Sequence, residues 1–134
     1  MKSGLWQSEW QGINFNSLGI PLSFFRCPSP VFYAAFYSEL FHKYEGFGEL
    51  PLNWRESKAN TAKVITEIIG NSASVLSVGC GLGFVEKSIV DKNSNLKIDA
   101  FDFADTAKRW LLNVERVTCL TVLDTTTKYP FIYC

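Results

Sequence analysis

The segment Val75-Leu76-Ser77-Val78-Gly79-Cys80-Gly81-Leu82-Gly83 restricts the fold of this chain more than any other. A short β-rich run over 74–78 stops abruptly in three glycines set at every second position, and residues 84–90 can be helical again. The order strand, glycine turn, helix calls for backbone without side chains, because the turn is tight and a ligand there must approach the main chain closely. A dinucleotide fingerprint would place its third glycine at position 84, where the chain has Phe84, which argues against NAD or FAD. A P-loop is also disfavoured, since no Gly-Lys-Ser/Thr ending is present.

The surrounding sequence repeats the alternation. Asn53-Trp54-Arg55-Glu56 reads as a capping box, and Ala62, Ile65 and Ile69 share one face of a helix that Gly70 stops. Residues 96–101 read as a second strand. Asp105 then caps a helix carrying Ala107, Trp110, Leu111 and Val114, and residues 117–122 read as a third strand. Tyr129 to Cys134 reads as the beginning of a fourth. Strands alternating with helices predict an α/β fold, an open parallel sheet joined by right-handed crossovers.

The second strand ends at Asp102, nineteen residues beyond Gly83, where a carboxylate can accept both hydroxyl hydrogens of a ribose. Phe103 follows with an aromatic face available to a purine ring. Singly these signals are weak; in this order and spacing they become specific.

Composition sets the outer bounds. The 134 residues suit one core, and 47% apolar with 19% charged residues is a folding composition. Thirteen of the twenty aromatic residues lie in 1–54. This division gives an aromatic-rich, helical N-terminal extension over 1–53 and a core unit over 54–134. Within the extension, Ser29-Pro30 starts a helix whose stripe of Phe32, Phe36 and Leu40 is flanked by Tyr33, Tyr37, Phe41 and Tyr44. That face packs on the core or walls a ligand site.

Thirteen Lys plus Arg balance thirteen Asp plus Glu, so electrostatic capture of nucleic acid or an anionic membrane is disfavoured. The longest apolar run, Val31 to Tyr37, is far shorter than a membrane span, and the opening residues hold no signal-peptide core; a cytoplasmic protein is expected. Cys27, Cys80, Cys119 and Cys134 are scattered and His42 is the only histidine, so reduced, mostly buried thiols are expected rather than a metal site.

With these residues in place, the chain resembles the class I S-adenosylmethionine-dependent methyltransferases over 54–134. VLSVGCGLG is similar to the family's first motif, and Ile98 to Ala104 to its second strand with the ribose-binding acid. The resemblance implies a Rossmann-like sheet of strand order 3-2-1-4 and S-adenosylmethionine as cofactor. It implies Gly79, Cys80, Gly81 and Gly83 as the backbone turn, Asp102 as ribose acceptor and Phe103 as adenine wall. Val122-Leu123-Asp124 matches the segment after the third strand, so Asp124 is expected to meet the adenine amino group. The reaction implied is methyl transfer to an acceptor that the sequence does not name, with catalytic residues unassigned.

Three departures from the family pattern carry expectations. Ser77 stands where the family commonly has an acid, so a favourable group for the cofactor's ammonium end is expected to be absent. Pro130 stands where the fourth strand often begins with an acid and donates no ladder hydrogen bond. The sequence ends at Cys134, before the family's later strands, which leads to the expectation of an incomplete domain that is inactive alone and self-associates through an open sheet edge. The alternative is a methyltransferase-like binding or interaction module without turnover.

Overall fold

The computed structural model describes residues 9–10, 13–14, 30–102, 107–124 and 126–134. Strands β1 (Glu9–Trp10) and β2 (Ile13–Asn14) form a short antiparallel pair. Helix α1 (Pro30–Lys43) follows, then a single 3-10 turn at Phe47–Glu49 and helix α2 (Leu52–Ile69). The remaining elements alternate: β3 (Ser74–Val78), α3 (Phe84–Lys92), β4 (Lys97–Phe101), α4 (Ala107–Leu111), β5 (Val117–Leu120) and β6 (Ile132–Tyr133). The main sheet has the order β5-β4-β3-β6, every pair parallel. Numbered within this unit, that is the expected order 3-2-1-4.

Each boundary has a local cause. Gly70 ends α2 at φ +60, a conformation that favours glycine, and its N–H returns to Thr66 O at 3.1 Å. The expected cap at Asn53 does not form. Pro51, its φ of −49° fixed by the ring, holds the cap position one residue before Leu52, and Asn53 already lies inside the first turn. Helix α4 stops at Leu111 and does not reach Val114, whose N–H closes a turn onto Leu111 O at 2.9 Å. The fourth strand is also shorter than expected. Pro130 has no N–H to give, and the pairing starts where Leu76 N–H donates to Phe131 O at 3.1 Å.

The β3 residues Val75, Leu76 and Ser77 are all buried, as suits a central parallel strand covered on both faces. Ala62, Ile69, Val75, Ile89, Leu96 and Ile98 belong to one core, against which Leu111 closes. A second cluster joins Phe36 and Leu40 of α1 to Trp54 of α2, Leu82 of the glycine turn and Trp110 of α4. Phe36 and Leu40 thus share one buried stripe, as their spacing predicts. Arg116, at φ +67, donates through its guanidinium to Asn93 O and Val90 O (2.6 Å to Val90), satisfying carbonyls at the C-terminal end of α3.

Thiol burial is less complete than expected. Cys80 and Cys119 are half-buried and Cys134 is exposed, because Cys80 sits in the turn and Cys134 follows the two-residue edge strand β6. Among the described residues no helix is long and apolar enough to cross a membrane.

Candidate functional site

The C-terminal ends of β3 and β4 come together through the glycine turn. Gly79 and Cys80 both donate backbone N–H groups to Phe101 O, at 2.7 and 3.2 Å, so the turn is pinned to the end of the neighbouring strand. Gly81 N–H donates to Asp102 Oδ2 at 2.7 Å. Gly79, Gly81 and Gly83 have φ of 78°, 57° and 79°. At Gly83 the need for glycine is twofold: a side chain is strained at that φ, and a Cβ would overlap the Leu111 side chain.

Phe84, which stands where a dinucleotide fingerprint would continue in glycine, instead starts α3 within an aromatic cluster. Its ring lies 5.7 Å from Phe47 and 5.3 Å from Trp54, both edge-on. These contacts anchor the helix that leaves the turn.

Beside the turn lies a cavity of about 270 Å³. Its wall includes Phe36 and Leu40 of α1, Trp54 and Lys58 of α2, Gly79, Cys80 and Gly81 of the turn, Glu86 of α3 and Tyr133 of β6. Glu86 is a carboxyl inside the core, 1% exposed. Its Oε1 accepts hydrogen bonds from Ser77 Oγ at 2.6 Å and Tyr133 Oη at 2.9 Å. Its Oε2 is buried without a partner among the described residues. Burial outweighs the two hydroxyl donors and holds this carboxyl above its usual range. The Cys80 thiol is pushed up by its own burial first and by the nearby Glu86 and Asp102 carboxyls second, so it is not a thiolate nucleophile near neutral pH.

The sequence-derived site residues therefore divide into three groups. Gly79, Cys80, Gly81 and Asp102 meet at the strand ends, and Gly83 closes the same turn against Leu111. Asp124 is exposed in the segment after β5 and accepts from Thr126 N–H at 2.8 Å, Thr126 Oγ1 at 2.6 Å and Thr127 Oγ1 at 2.8 Å. Those hydroxyl and amide donors hold its carboxyl down to about 2. Phe103 lies outside the described residues, as does Asp105, the expected cap of α4.

No protein-family model and no curated protein matches the chain. Among solved structures it is similar to the plantazolicin methyltransferase BpumL in complex with SAH, at 15% identity and a TM-score of 0.46, over 82% of this chain and 42% of that one. It is also similar to coclaurine N-methyltransferase bound to N-methylheliamine and SAH, at 18% identity and a TM-score of 0.47, over 88% and 48% of the two chains. TnmH gives 17% identity and a TM-score of 0.43 over 77% and 29%. The chain spans less than half the length of each of these proteins. The fold is a Rossmann-like open parallel sheet.

In such sheets ligands bind outside the carboxyl ends of the strands where the strand order reverses, and β3 is that strand here. The glycine turn follows β3 directly. Sequence reasoning missed Glu86 and Tyr133. A signal for Glu86 existed, since it precedes Ile89 and Val90 by three and four residues and so falls on the apolar stripe of its helix. Tyr133 gave none, because its role depends on β6 pairing with β3 across a long separation in sequence.

Proposed function

We propose that this chain binds S-adenosylmethionine at the ends of β3 and β4, and that it forms the cofactor-binding half of a cytoplasmic class I methyltransferase acting on an acceptor still to be identified. The observation that carries the reading is the 2.7 Å hydrogen bond from Gly81 N–H to Asp102 Oδ2, which joins the glycine turn and the acid of the second strand in one place. The residues present fit the cofactor. The turn offers main chain without side chains, Asp102 offers a carboxylate for a ribose, and the adjoining wall holds a buried carboxyl with an oxygen that lacks a donor.

When bound, the cofactor supplies an electrophilic methyl group on a sulfonium. The chain's own part is to hold and to exclude water. Phe36, Leu40, Trp54 and Phe84 make much of the cavity wall apolar, and a water-poor pocket that aligns nucleophile and methyl carbon supplies rate without a dedicated base. Asp124 is proposed to reach the adenine amino group only by exchanging its present threonine donors. Phe103 is proposed as the adenine wall, and the division into residues 1–53 and 54–134 as the boundary between extension and cofactor unit.

Calorimetric titration with S-adenosylhomocysteine and, separately, with NAD tests the reading. Binding of the former in preference to the latter supports it. Tighter binding of NAD overturns it.

A further inference from the structure

Glu86 is costly to keep where it is. A carboxyl 1% exposed, with one oxygen lacking a donor among the described residues, gives up solvation that its two hydroxyl partners only partly replace. It belongs to the wall of the cavity beside the glycine turn, with both of its partners, Ser77 and Tyr133. Among the described residues the only basic side chain in that wall is Lys58 of α2, which is half-buried and close enough to Glu86 to favour its ionised form. Among the described residues the wall therefore carries one buried acidic and one basic side chain beside apolar, hydroxyl, thiol and backbone groups.

We propose that Glu86 is the acid that receives the ammonium group of an amino-acid moiety bound in this cavity, and that Lys58 faces the carboxylate of the same moiety. The inference rests on the S-adenosylmethionine reading, whose methionine end is such a zwitterion. It also reverses the expectation drawn from Ser77. An acid is present after all, donated from α3 and held 2.6 Å from the Ser77 hydroxyl.

Burial raises the carboxyl toward its protonated form against the pull of Lys58, and an arriving ammonium shifts it further toward the ionised form. The proton leaves to buffer. Among the described residues the groups facing Glu86 are Lys58 from α2, Ser77 from β3, Cys80 from the turn and Tyr133 from β6; burial raises both the Tyr133 phenol and the Cys80 thiol, and Glu86 raises them further, so both stay protonated and neither takes up that proton.

The test compares S-adenosylhomocysteine with 5′-methylthioadenosine, which shares the adenosyl group but lacks both the ammonium and the carboxylate. In wild type, titrations in two buffers of different ionisation enthalpy at pH 7 should show proton release with S-adenosylhomocysteine and none with 5′-methylthioadenosine. Glu86→Gln should weaken S-adenosylhomocysteine roughly tenfold or more and leave 5′-methylthioadenosine unchanged. Equal weakening of both ligands, or of neither, overturns the assignment of Glu86, as does equal proton release. If wild type binds neither ligand, the S-adenosylmethionine reading itself fails, and the inference with it.

Discussion

Gly81 N–H and Asp102 Oδ2 stand 2.7 Å apart, twenty-one residues distant in sequence, and their hydrogen bond spans the ends of two adjacent parallel strands. The contact orders the turn before any ligand arrives. Asp102 is thereby a structural partner of the turn and, in the proposed function, the ribose acceptor. Asp102→Ala should therefore weaken S-adenosylhomocysteine by roughly ten- to a hundredfold, the range expected for lost hydrogen bonds to a charged group. Calorimetric titration of wild type and variant reads this, and equal affinities would remove Asp102 from the site.

Gly83 and Gly81 should separate stability from binding. Gly83→Ala places a side chain at φ +79 and against Leu111, and left-handed strain plus overpacking sum to about 2–5 kcal/mol of lost stability. Urea unfolding measures it; a loss below about 1 kcal/mol would mean that Leu111 yields freely. Gly81→Val, in contrast, should abolish S-adenosylhomocysteine binding while circular dichroism retains the helix signal. Normal binding by that variant would leave the glycines as a turn alone.

The pH dependence of stability should reveal Glu86. Its carboxyl is raised in the folded chain from an ordinary value of 4.5, so between 4.5 and the folded value the native state binds more proton than the unfolded state. This contribution is fully present below 4.5 and is lost as pH rises through the folded value. Glu86→Gln has no proton to lose. Urea unfolding at pH 5 and at pH 8 should show wild type losing stability relative to the variant as pH rises, and parallel curves would contradict a protonated Glu86.

Much of this architecture was legible because the strongest signals were local. The strand run into Gly79, the stop at Gly70 and the acid at Asp102 each depend on a few neighbouring residues, and the strand order was expected from the family resemblance those residues carry. What escaped was decided at a distance. Pro51 moved the start of α2 ahead of the apparent cap at Asn53, and the Ser77–Glu86–Tyr133 cluster joins a strand, a helix and a second strand that no sequence window contains.

The edge of the sheet leads to a further expectation. Strand β6 pairs with β3 on one side, and Ile132 within it is 57% exposed. We infer that this edge supports self-association. Multi-angle light scattering across a concentration series should show mass above one chain for wild type and a shift toward the monomer for Ile132→Lys. A monodisperse wild-type monomer would rule out the edge as an interface.

The central claim is that one ligand site is built from the glycine turn and the strand ends around it. Amide NMR of the labelled protein titrated with S-adenosylhomocysteine tests it most directly, residue by residue. The account predicts the largest shifts at Gly79, Cys80, Gly81 and Asp102, with smaller ones at Glu86 and Tyr133 and little change across the exposed turn of α2 around Val64 and Ile68. Saturable binding whose shifts fall elsewhere, with Gly79 to Gly83 unmoved, would contradict it.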